Sequence, residues 1–114
     1  MSRSFQDSLK ALARAEEAID AAELDINGGH NLAAANRAYY SCYYCMVALL
    51  LTKQVSTKSH QGIRAKFNEL FIKTGIFPEV MATYIKNAFE LRQEADYDLD
   101  ANITRKKLRN SLII

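Results

Sequence analysis

The chain has 114 residues, 49% of them hydrophobic, and sets 15 basic against 13 acidic side chains for a formal charge of +2. That size makes one compact domain, read here as residues 1–114. The small net charge excludes a strongly basic nucleic-acid wrapper and an acidic solvating tail, and leaves room only for a local basic patch.

From Ser4 to Ile26, the apolar residues Phe5, Leu9, Leu12, Ile19 and Ile26 recur at helical spacing among Lys10, Arg14, Glu17 and Asp20. This predicts an amphipathic helix packed on that one face. Ahead of it, Met1 to Asp7 lack the apolar core of a signal peptide, so a cytoplasmic location is expected. Asn27-Gly28-Gly29 ends the helix, because glycine accepts the left-handed geometry of a C-cap.

A second helix is predicted from Asn31 to Lys53, antiparallel to the first across this short turn. After Arg37 no formally charged residue appears until Lys53, so the helix is apolar on nearly all sides and should be buried on nearly all sides. Its apolar run, Ala38 to Leu51, falls short of the roughly 20 residues that span a bilayer, so no membrane is expected. Ala33-Ala34-Ala35 allow close approach of a neighbouring helix. Cys42 and Cys45 read as reduced, small core residues, since no second ligand pair accompanies them. Neither metal nor cofactor is expected.

Gln54 to Ser59 read as a loop, with Thr57 or Ser59 capping a third helix that carries Ile63, Phe67, Leu70 and Phe71 on one face. Lys73-Thr74-Gly75 closes it. Pro78 fits the first position of a fourth helix, whose core stripe is Val80, Met81, Tyr84, Ile85, Ala88 and Leu91. Near its end stand Glu94, Asp96 and Asp98, acids that oppose the helix dipole and suggest another use, such as holding an arginine. The tail from Ile103 offers Thr104 as a cap for a short basic helix and finishes Leu112-Ile113-Ile114, expected to pack against the bundle or across a dimer. The predicted fold is all-α, an antiparallel up-and-down four-helix bundle with a short fifth C-terminal helix.

Arg37, Tyr40, Ser41 and Tyr44 lie at i, i+3, i+4 and i+7 on one stripe of the second helix. An arginine with two phenols and a hydroxyl can bind a phosphate and stack a base; equally, Arg37 can form a structural ion pair with Asp96 or Glu94 while the tyrosines fill core. His60 at the start of the third helix and His30 in the turn are the two imidazoles that can act near neutral pH. No Gly-rich phosphate loop or nucleophile elbow is present.

Four segments carry a resemblance: Asn36-Arg37-Ala38-Tyr39-Tyr40, Lys58-Ser59-His60-Gln61-Gly62, Phe71-Ile72-Lys73-Thr74-Gly75 and Glu90-Leu91-Arg92-Gln93-Glu94-Ala95-Asp96-Tyr97. In order and spacing they closely resemble the HEPN superfamily (higher eukaryotes and prokaryotes nucleotide-binding), in its small prokaryotic single-domain branch, from Asn31 to Asp98. The resemblance implies a helical bundle that forms a homodimer, often encoded beside a minimal nucleotidyltransferase in toxin–antitoxin or defence modules. It also implies kinship with metal-independent ribonucleases, whose signature is an arginine, four to six variable residues and a histidine. In these the arginine holds the scissile phosphate, and the histidine assists attack by the 2′-hydroxyl in a cleft lined by both protomers.

Arg37 matches the signature arginine, whereas Cys42, Tyr43 and Tyr44 stand where the histidine would be. The resemblance implies that small relatives of the branch commonly carry it at the position of Tyr44, and a tyrosine with a reference pKa of about 10 is a poor base at neutral pH. With Cys42 in the histidine place, Tyr44 falls on a tyrosine that some partner nucleotidyltransferases adenylylate. The sequence therefore predicts a dimeric nucleotide- or RNA-binding or partner-binding module around Arg37, Tyr40, Ser41 and Tyr44. Its alternatives are a metal-independent ribonuclease toxin, active or weakened by the absence of the signature histidine, using Arg37 with His60 or Tyr44, and a structural partner of a nucleotidyltransferase with Arg37 locked to Asp96.

Overall fold

A computed structural model of the chain describes residues 3–111. The elements in order are α1 (Arg3–Asn27), α2 (Asn31–Thr52), α3 (His60–Phe67) with a π-helical continuation over Asn68–Ile72, α4 (Val80–Tyr97) and α5 (Arg105–Ser111). No strand occurs among the described residues, and the fold is an all-α bundle with a short C-terminal helix, as expected. Leu112, Ile113 and Ile114 lie outside the described residues.

Helices α1 and α2 reverse at Gly29, whose φ of +80° is open to glycine at no steric cost. They lie side by side and antiparallel: Ser8 Oγ donates to the Ala48 carbonyl at 2.8 Å near one end, and Ile26 shares a core with Ala34 and Ala35 at the other. The face that α1 buries differs from the expected one. Ser8, Ala11, Ala15, Ala18, Ala22 and Ile26 are buried, while Phe5, Leu9 and Leu12 are each nearly half exposed. Alanines let the two backbones approach closely, and the seat that α2 offers is itself built of Ala34, Ala35, Ala38 and Ala48. This rotates the larger side chains of α1 to the flank, where Leu12 and Ile19 wall a groove of about 300 Å³ floored by Cys42, Cys45 and Met46.

The remaining core falls into two clusters. Ile103 and Leu108 of the C-terminal segment join Ile26, Ala34, Ala35 and Ala38 at one end. Met46, Leu50, Ile63, Phe67, Phe71, Ile72 and Ile85 fill the other. The π turn serves the second cluster: Lys73 N–H reaches the Asn68 carbonyl at 2.8 Å, five residues back, and the extra residue brings the adjacent Phe71 and Ile72 inward together. A strictly 3.6-residue repeat would carry one of the two away from the core. Helix α4 begins at Val80, two residues after Pro78, whose carbonyl accepts Met81 N–H at 3.0 Å in a tight first turn. Val80, expected in the core stripe, is half exposed, and Ile85 and Ala88 are its buried members.

Ser59, in extended geometry, caps α3 by accepting Gly62 N–H at 2.9 Å, and so fixes where His60 begins the helix. Thr104 caps α5 in the same way through Lys107 N–H at 3.2 Å. Ser59→Ala is expected to cost about 1 kcal/mol of unfolding free energy, measured by urea titration. Gly62→Ala should be at least as damaging, because its methyl would meet the side-chain oxygens of Thr57 and Ser59.

Candidate functional site

A helix turns once in about 3.6 residues, so Tyr44, seven residues after Arg37, returns to its face, while Cys42, five residues after, falls about 140° away. The structure follows this geometry. Arg37 lies over the Tyr40 ring, its Cζ 5.3 Å from the centroid, and Tyr40 in turn meets Tyr44 at 6.2 Å. Arg14 of α1 approaches the Tyr44 ring at 5.8 Å. Ser41 does not join the stripe: it is buried, and its hydroxyl donates to the Ala38 carbonyl at 2.7 Å. A short hydroxyl one helical step aside is drawn under α1 and satisfies itself on its own backbone.

His60 arrives on the same face from α3. Its ring stacks on Tyr43 with centroids 4.1 Å apart and meets Tyr40 edge-on at 5.7 Å. Its Nδ1 lies 3.2 Å from the Tyr39 hydroxyl, and that hydroxyl oxygen accepts from Arg64 Nη1 at 3.1 Å. Burial, then the Arg92 and Arg64 guanidiniums, hold the His60 pKa below its ordinary value of 6.5, so the ring is neutral at pH 7. Tyr39 is fully buried, and burial raises its phenol pKa despite the neighbouring Arg64. His30, the other histidine, is exposed at the start of α2 and stands apart from this group.

The expected pair between Arg37 and Asp96 or Glu94 is not formed among the described residues. Arg37 instead donates Nε and Nη2 to its neighbour Asn36 Oδ1, at 3.1 and 2.7 Å. Asp96 is taken by Arg92, one turn earlier on α4, with Nε 3.1 Å from Oδ2 but off the line of a hydrogen bond, so that charge holds the pair. An i,i+4 partner on the same helix is close without any long reach, which is why Arg92 wins. The acids at the end of α4 thus do hold an arginine, but a different one. Asp98 makes a local turn by accepting Asp100 N–H at 2.9 Å, and Glu94 lies in a shallow polar hollow with Glu90 and Lys107.

The helical stripe of Arg37 does not predict Tyr39, Tyr43 or Arg64 on this face, nor Arg92. The Arg92 guanidinium lies 5.4 Å from the Tyr39 ring and 5.6 Å from Tyr40, so Tyr40 carries arginines from two helices. Arg64 covers Phe89 at 4.0 Å. Of the four guanidiniums on this face, Arg14, Arg37, Arg64 and Arg92, Arg92 alone is ion-paired among the described residues. The segment from Glu90 to Tyr97 drew attention to its acids, whereas the arginine within it is the residue that reaches the tyrosines.

A family model described as the HEPN domain matches residues 9–113. The chain belongs to the HEPN domain family. It is 38% identical over 98 residues to a Methanocaldococcus jannaschii protein named "Putative toxin", covering 86% of this chain and 67% of that protein. A second "Putative toxin" of the same organism is 32% identical over 101 residues, 88% of this chain and 75% of its own length. A Thermotoga maritima protein named UPF0332 is 38% identical over 84 residues, 74% of this chain and 64% of its own length. The matched stretch is therefore about two thirds to three quarters of these relatives. No solved structure gives a significant match.

In this HEPN domain Cys42 and Tyr44 differ in burial: Cys42 is buried and Tyr44 is half-buried. Cys42 points into the apolar groove, and burial followed by the nearby Cys45 pushes its thiol up to about 11. It is protonated at neutral pH and cannot serve as a base on the Arg37 face. Tyr44 is the one that shares that face. Cys45, expected in the core with Cys42, is exposed instead, so in a thiol titration at pH 8 Cys45 is expected to react in the folded protein and Cys42 only after unfolding.

Proposed function

We propose that this HEPN domain is a toxin-type module that binds a nucleotide or an RNA backbone through the Arg37 face, working as a homodimer with a nucleotidyltransferase as antitoxin partner. The observation that carries the reading is the convergence of Arg37 and Arg92 on the Tyr40 ring, with His60 edge-on to the same ring. Guanidiniums grip phosphate in a bidentate fork, and tyrosine faces stack bases without regard to sequence. The names of the Methanocaldococcus relatives support the toxin-type part. The apolar flank of Leu9 and Leu12, left uncovered as α1 packs through its alanines, supports a second protomer, and sedimentation velocity tests it.

Fluorescence anisotropy with labelled decauridylate, wild type against Arg37→Ala, tests the reading. Binding lost in the variant without any cleavage supports the module. A second reading, a ribonuclease, is favoured by the arrival of His60 beside the ring that bears Arg37, which supplies an imidazole that α2 lacks. Cleavage of the oligonucleotide that disappears in both Arg37→Ala and His60→Gln would establish that reading instead.

A further inference from the structure

The Tyr39 side chain is fully buried, and its hydroxyl has two partners, Arg64 Nη1 at 3.1 Å and His60 Nδ1 at 3.2 Å. A guanidinium only donates, so the Tyr39 oxygen accepts from Arg64. The hydroxyl hydrogen then needs an acceptor, and among the described residues His60 Nδ1 is the one in reach. The reverse arrangement, with Nδ1–H donating to Tyr39, would strand a buried hydroxyl hydrogen without a partner, a penalty that folded proteins avoid. Donation therefore runs from Arg64 to Tyr39 and from Tyr39 to His60. With Nδ1 accepting, the proton of the neutral imidazole sits on Nε2. Tyr43 stacked on one side and Tyr40 at the edge fix the ring plane, and Nε2 has no hydrogen-bond partner among the described residues.

We propose that Tyr39 and Arg64 are positioning residues that hold His60 as an Nε2–H donor, and that His60 gives this hydrogen bond to a phosphate oxygen of the bound nucleotide. The donor role rests on the nucleotide-binding reading of the Arg37 face; the tautomer does not. To work as a base at Nε2, the ring must move its proton to Nδ1, which breaks the bond from Tyr39. To become a cation, it must charge beside Arg64 of α3 and Arg92 of α4, with only the phenols of Tyr39, Tyr40 and Tyr43 facing it from α2. Both routes are opposed by the surroundings, and donation from Nε2 is what they leave.

Histidine-selective nitrogen-15 labelling tests this in the full chain, with His30→Gln assigning the signals. Long-range nitrogen–proton spectra of the free protein are expected to show Nδ1 of His60 unprotonated and Nε2 protonated. Tyr39→Phe, which removes only the hydroxyl, should convert this to a mixture of tautomers, and Arg64→Leu should shift it the same way. Decauridylate should move the Nε2 signal of the wild type. A protonated Nδ1 in the wild type, or an unchanged tautomer in Tyr39→Phe, overturns the relay. An Nε2 signal that stays put while decauridylate binds overturns the donor role. Failure of decauridylate to bind overturns the nucleotide reading and the donor role with it, and the tautomer is then decided by the spectra of the free protein.

Discussion

Phe67→Ala is expected to lower the unfolding free energy by about 3–5 kcal/mol, the usual cost of emptying a buried aromatic site. Phe67 is 2% exposed and stacks on Phe71 at 5.2 Å and Phe77 at 6.0 Å. It also belongs to the cluster of Met46, Leu50, Ile63 and Ile85, so it ties α2, α3, the π turn and α4 together. The site cannot collapse easily, because the π turn already places Phe71 and Ile72 side by side with no slack on that face. A domain of this size has a total stability of roughly 5–15 kcal/mol, so this one truncation removes a large share of it. Urea denaturation checks the figure; a loss under about 1 kcal/mol would show that the second cluster does not hold the bundle. Binding should weaken as well, since α3 carries His60 to its place on Tyr43.

Arg37→Ala is expected to leave the melting temperature unchanged and to weaken decauridylate binding by about 10- to 100-fold, the equivalent of one or two charged hydrogen bonds to phosphate. Arg37 is poised for this separation of effects. Its hydrogen bonds go to the adjacent Asn36, and among the described residues it makes no ion pair, so its loss strands no buried carboxylate. Removing one phosphate contact on a single strand should also reduce the slope of log K against log salt by about 0.7. A variant that binds as tightly as the wild type would sink the nucleotide reading. One that unfolds would return Arg37 to a purely structural role.

Helix identity was legible because it follows from short-range rules. Gly28 and Gly29 had to end α1 and Ser59 was a ready cap, whereas the charge-free run after Arg37, expected to be buried on nearly all sides, is buried along only part of its circumference and leaves Cys45 exposed. The family was legible as well, since four ordered segments are far more specific than any single residue.

Partner choice was not legible, because it depends on which faces meet. Periodicity marked Phe5, Leu9 and Leu12 as the packed face of α1, yet an alanine stripe at the same repeat offers closer backbone approach and took the seat. The acids at the end of α4 announced an arginine partner, and an arginine of the same helix reached Asp96 first. Spacing alone gave Ser41 the same standing as Tyr44; only the packing of α1 over α2 sent one inward and left the other beside Arg37. His60 is the clearest case. Twenty-one residues separate it from Tyr39, and no local pattern reveals that the Ser59 cap and the Phe67 core together deliver its ring to the tyrosines. The sequence by itself determined the helices, the family and the position of Arg37 on α2, which local propensity and motif spacing suffice to set. The tertiary structure decided which tyrosines, which arginines and which histidine stand with it, because only long-range packing brings separate helices to one face.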